Sequence, residues 1–137
     1  MTGHHSLIGL ACLALLAGCG GGAPFEGRAY PAGVSVETLD VQVERDETEL
    51  RLTNTSARDF GPATLWVNAG FSHPIDGFAI GESLTIDLGA FVDEYGNRFR
   101  SGGFFATRQP HDVVLAEIED GSDGARYGLI VVRGEAE

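Results

Sequence analysis

Residues 39–45 read Leu-Asp-Val-Gln-Val-Glu-Arg and residues 49–54 read Glu-Leu-Arg-Leu-Thr-Asn, with only Asp46-Glu47-Thr48 between them. Side chains in a strand alternate between faces, so this spacing puts Leu39, Val41 and Val43 on one face and Leu50 and Leu52 on one face of the next segment. Two such runs across a short polar turn predict a β-hairpin. Its outward residues Asp40, Glu44 and Arg51 mix charge signs, which suits pairing between strands in water. After Cys19 no window of a dozen residues carries a 3.6-residue apolar period, so helices are not the organising element.

The rest of the chain reads the same way. Residues 63–68, Ala-Thr-Leu-Trp-Val-Asn, form a strand after a polar loop at 55–62. Residues 69–82 contain several glycines and Pro74, which predicts an irregular connection, and 83–88 is another strand. A final pair, 111–119 and 125–133, is joined by Asp120-Gly121-Ser122-Asp123-Gly124. Residues 128–132 are apolar on both faces, as in a central strand. With 20 glycines and strands recurring at short intervals, the fold expected is all-β: a single antiparallel β-sandwich over residues 33–137, with a small β-barrel as the alternative.

The single tryptophan lies on the 63–68 strand. Alternation sends Leu65 and Val67 inward and leaves Trp66 outside with Thr64 and Asn68. Exposed tryptophan is unusual, so cover is expected from Phe71, Ile75 or Phe78 in the next connection. Trp66 on a mid-chain strand resembles the core tryptophan of immunoglobulin-like sandwiches, though no cysteine pair flanks it. Asn54-Thr55-Ser56, Gly81-Glu82-Ser83 and the stretch 91–99 are similar to corner and turn motifs of small bacterial envelope sandwich modules, which often carry Pro where this chain has Ile80. The resemblance implies an Ig-like arrangement of the strands.

The N-terminal segment has a different character. Residues 7–16 are an uninterrupted apolar run, half the roughly 20 residues a spanning helix needs. That length fits the hydrophobic region of a signal peptide. The tetrad Leu16-Ala17-Gly18-Cys19 that ends it resembles the lipobox of bacterial lipoproteins. The resemblance implies removal of residues 1–18, a diacylglycerol thioether on Cys19 and acylation of the new amino terminus. It also implies attachment to a membrane of the cell envelope through that lipid. Gly20, rather than aspartate, follows the cysteine, which leans toward the outer membrane where the host has one. Residues 19–32, beginning with three glycines after the cysteine, are expected to form a flexible tether. His4, His5 and Cys12 would leave with the signal peptide.

Composition narrows the function. Acidic residues outnumber basic ones 20 to 9, for a net charge of −11, which argues against nucleic acid as a partner. All nine basic residues are arginine, so neither a Schiff-base lysine nor a P-loop is possible. Both cysteines precede residue 20, which leaves no disulfide framework or Cys-rich zinc site for the body.

Some residues could still carry chemistry. Asp93, Glu94 and Asn97 in one turn, and Asp120 and Asp123 in another, concentrate the oxygen ligands calcium favours, yet they lack the spacing of a twelve-residue calcium loop. Asp, Asn and Gly are also ordinary turn residues, and turn chemistry is the reading adopted. His73 and His111 each lie near an aspartate (Asp76, Asp112) but show no metal-ligand spacing. Ser72 and His73 are adjacent, so in an extended segment they point to opposite sides. No G-x-S-x-G occurs, and Ser101 has no identifiable base. Neither a catalytic residue nor a cofactor is expected. The aromatics Phe71, Phe78, Phe91, Phe99, Phe104 and Phe105 are expected mainly in the core, with Trp66, Phe71 and Phe78 as the candidates for partner contact. The sequence therefore points to a lipid-anchored, non-catalytic envelope protein serving as an interaction or structural module. The alternative is a periplasmic domain that binds a small ligand or metal through the 71–105 region and its acids.

Overall fold

The computed structural model describes residues 26–133. The signal-peptide, lipobox and Cys19 assignments lie outside the described residues. Among the described residues seven strands run in chain order: β1 (Thr38–Asp46), β2 (Glu49–Asn54), β3 (Ala63–Val67), β4 (Phe71–Ile75), β5 (Ser83–Asp87), β6 (Ala116–Asp120) and β7 (Arg126–Val132). One 3₁₀ turn, Leu88–Ala90, follows β5. Among the described residues no helix is long and apolar enough to cross a membrane.

The first hairpin forms in the register its alternation requires. Asp46 pairs with Glu49 and Val43 with Leu52, while Val41, Val43, Leu50 and Leu52 are buried. All seven strands join one hydrogen-bonded sheet in the order β4-β3-β6-β7-β1-β2-β5. The sheet is mixed, a correction to the purely antiparallel expectation: β1 runs parallel to β7. Parallel neighbours cannot be joined by a tight turn. Here the pair consists of the first and last strands, so the whole domain is the connection. The sheet also curls, because Leu50 and Leu52 near one edge share a single apolar cluster with Leu65, Val67 and Ile118 near the other, and Phe78, Phe91 and Phe99 fill the space between.

Residues 69–82 are more regular than expected. Phe71–Ile75 form β4, which pairs Pro74 with Thr64 of β3. A proline inside a strand argues for an edge, since it donates nothing to a ladder, and β4 is the edge strand. The segment before β6 is less regular than expected. Asn68 holds it instead, accepting from the Val114 amide at 2.9 Å and donating to the Asp112 carbonyl at 2.7 Å.

The resembling corner motifs all turn the chain. Buried Asn54 donates to the carbonyls of Arg58 and Phe78 at 2.8 and 2.9 Å and accepts from the Ser56 hydroxyl at 2.7 Å. Glu82 accepts from the Ala79 amide, and Asp93 accepts from Asn97.

Candidate functional site

The sheet has two unlike faces. One carries the apolar core. The other, over β3, β6 and β7, carries Thr64, Trp66, Glu117, Glu119 and Arg126. Strand alternation produces this set directly, because Glu117 and Glu119 flank the core residue Ile118 on β6. Two glutamates and an arginine on an open sheet would be solvated. Here Glu117 is 4 % exposed, Glu119 8 % and Arg126 5 %.

The cover is the N-terminal segment, residues 28–36. Arg28 donates to Glu119 at 3.0 Å and to the Thr64 hydroxyl at 3.2 Å. Tyr30 donates to Glu117 at 2.5 Å, and its ring stands edge-on to Trp66 with centroids 5.3 Å apart. Ser35 donates to the other Glu117 oxygen. Arg126 donates to Glu117 at 3.2 Å and to the carbonyls of Pro31 and Gly33 at 3.0 and 2.6 Å, and its guanidinium lies over the Tyr30 ring. The Trp66 indole donates to Glu119 at 2.8 Å. Every carboxylate oxygen of the pair of glutamates thus accepts at least one hydrogen bond. Burial, followed by the bond to Glu117, pushes the Tyr30 hydroxyl above its ordinary pKa.

This arrangement corrects two expectations. Trp66 does face away from the core and is 1 % exposed, but its cover comes from Arg28 and Tyr30. Phe78 and Phe71 pack on the opposite face, Phe78 fully buried and Phe71 against the core with its ring edge-on to Phe99 at 5.2 Å. In addition, residues 28–32, within the stretch 19–32 expected as a flexible tether, lie packed on the sheet. Buried charge pairs are held by geometry and hydrogen bonds, not by net gain over apolar packing, and this pair holds the N-terminal segment down on the sheet. With each carboxylate oxygen engaged by a donor, the array is suited to fastening the N-terminal segment.

The acidic turns are occupied by their own backbone. Asp93 accepts from the Tyr95 and Asn97 amides at 3.0 and 2.7 Å, and the bond from the Asn97 side chain leads in holding its carboxyl below the usual range. Glu94 is exposed. Asp120 accepts from Ser122 at 2.7 Å and pairs with Arg58 at 3.2 Å, and the Ser122 bonds come first in lowering its pKa. Asp123 accepts from the Ala125 amide at 2.9 Å. Among the described residues no three His, Cys, Asp or Glu side chains are grouped to hold a metal ion.

The two histidines pack against different phenylalanines. His73 lies against Phe91 with ring centroids 5.3 Å apart, and burial lowers its pKa. His111 sits against Phe99 and Phe71, its pKa lowered by burial and then by Arg100. Of the six clustered phenylalanines, Phe78, Phe91 and Phe99 are buried and Phe71 is partly buried, but Phe104 and Phe105 are 95 % and 90 % exposed. The core expectation therefore fails for those two.

Sequence reasoning did not single out Arg28, Tyr30, Glu117, Glu119 or Arg126. The available signal was a pair of glutamates alternating with Ala116, Ile118 and Asp120 on a strand whose neighbour carries the only tryptophan. Comparison of the chain with protein-family models, curated proteins and solved structures finds no match.

Proposed function

We propose that the chain is a lipid-anchored, non-catalytic module of a bacterial cell envelope, acting through interaction or structure. The observation that carries this reading is the coincidence of an apolar run at 7–16, the tetrad Leu16-Ala17-Gly18-Cys19 and a glycine-rich stretch directly before a folded β-domain. The fastening of residues 28–36 across the polar face supports it, because a domain hung from its N-terminus is loaded there first. An Ig-like sandwich is the finer reading of the fold. In it one half is made of β1, β2 and β5 and the other of β4, β3, β6 and β7, joined by the parallel ladder between β1 and β7. The strand order and the single core between the halves support it.

The test is detergent-phase partitioning of the wild type and of Cys19→Ser. The wild type is expected in the detergent phase and the variant in the aqueous phase. Equal partitioning of the two overturns the reading.

A further inference from the structure

We propose that the loop at residues 101–110 rests on the lipid bilayer, with Phe104 and Phe105 in its interfacial layer and Arg98, Arg100 and Arg108 against lipid phosphates. The proposal rests on the lipid-anchored reading and adds to it a second contact, made by the folded domain.

The tip of the loop is presented rather than buried. Phe104 and Phe105 are stacked edge-to-face with centroids 5.0 Å apart and are almost wholly exposed. The Ala106 amide donates to the Gly103 carbonyl at 3.0 Å, which makes the pair the apex of a tight turn, and Gly103 supplies the positive φ that the turn's entry requires. The base is clamped. Arg45 donates to the Ser101 carbonyl at 2.5 Å and to the His111 carbonyl, and the His111 amide donates to the Arg100 carbonyl at 2.9 Å. A fixed base under two exposed aromatic rings differs from a collapsed loop, in which those rings would be tucked under.

Charge supplies the partner. The chain carries 20 acids against 9 arginines, yet residues 98–111 hold three of those arginines and no acid. Arg98, Arg100 and Arg108 line one shallow hollow with His111, Phe71 and Asn97. Its one carboxylate, Asp93, is engaged within its own turn. Aromatic rings beside arginine match the headgroup layer, where rings enter the interface and guanidinium groups meet phosphate.

Geometry places the loop near the anchor. Gly27 lies so close to the Asp93 carbonyl that a Cβ there would stand 1.9 Å from its oxygen. The chain therefore enters the fold beside the turn whose far side is Arg98, bridged to Val92. From a lipid on Cys19 to Gly27, eight residues of fully extended chain reach at most about 30 Å. The entry edge and its arginines thus lie within that reach of the headgroups.

Tryptophan quenching by brominated lipid tests the contact. Phe105→Trp places a reporter at the tip, Ile80→Trp places one at the opposite end of the sheet, and the wild type gives the background of buried Trp66. Each full-length protein, recovered from membranes, is reconstituted in vesicles containing brominated phosphatidylglycerol. Strong quenching of Phe105→Trp is expected, with Ile80→Trp and the wild type little changed. Replacing phosphatidylglycerol by brominated phosphatidylcholine, or Arg108 by Gln, should lower the quenched fraction. Quenching at position 105 no greater than at position 80, or indifferent to lipid charge, overturns the proposal. The mass of the N-terminal peptide from the same samples separates the two readings. An unmodified Cys19 refutes the anchor, while the quenching ratio still decides the loop.

Discussion

Tyr30 joins Trp66 and Glu117 at once, its ring edge-on to the indole at 5.3 Å and its hydroxyl donating to the carboxylate at 2.5 Å. Tyr30→Ala removes an aromatic pair worth about 1 kcal/mol and a hydrogen bond to a charged group worth about 2 kcal/mol. It should therefore lower unfolding free energy by roughly 3 kcal/mol and shift Trp66 emission to the red with greater acrylamide quenching. Phe78→Ala should destabilise the core by about 3–5 kcal/mol and leave the emission position of the folded protein unchanged. Emission that responds to Phe78→Ala and not to Tyr30→Ala would return the cover of Trp66 to the connection after β4.

The ion pair between Glu117 and Arg126 is almost fully enclosed, with both side chains 5 % exposed. Arg126→Ala leaves a buried carboxylate short of its cation and two carbonyls short of donors, and should cost about 3–5 kcal/mol in urea unfolding. Residues 28–36 should become the first site of limited proteolysis in that variant. A loss below about 1 kcal/mol would mean that the segment is held by other contacts.

Acid should weaken the fold in two steps. His73 has its folded pKa below the unfolded value near 6.5, so its contribution is complete above that pH and declines as pH falls toward the folded value. Asp120 has its folded pKa depressed, so its contribution is complete above the unfolded value near 3.9 and is lost as pH falls through the folded one. Thermal melts from pH 8 to 3 should show both declines. His111, whose folded pKa is also lowered, contributes to the upper decline, so His73→Leu should reduce it and His73→Leu with His111→Leu should remove it. A profile flat between pH 7 and 5 in the wild type would contradict the assignment.

Ala69 sits at φ 54° in the turn between β3 and β4 and is exposed. The left-handed region costs a residue with a Cβ roughly 1 kcal/mol relative to glycine. Ala69→Gly should therefore raise unfolding free energy by about 0.5–1 kcal/mol, measured by urea titration. No gain, or a loss, would show that the unfolded-chain entropy of glycine outweighs the relief.

What the sequence made legible was local. Period-two alternation located β1, β2, β3 and β5 and sent Leu65 and Val67 inward, because each depends only on neighbours along the chain. β4 was hidden by Pro74, a residue whose tolerance depends on its being at the edge. Arg28 and Tyr30 read as tether because nothing nearby in sequence wants them. Their partners Glu119 and Glu117 lie nearly a hundred residues away. Phe104 and Phe105 read as core because hydrophobicity alone does not distinguish a tucked ring from a presented one.

The adjacency of β1 and β7 has a consequence for how the domain is made. Until β7 exists, β1, β2 and β5 have no ladder to β6, since β7 is the strand between them. A chain synthesised from its N-terminus therefore emerges as two unconnected patches of sheet, and the last strand to appear joins them. Such late, distant pairing makes folding slow. The polypeptide stays threadable until β7 arrives, and the domain closes in a single late step.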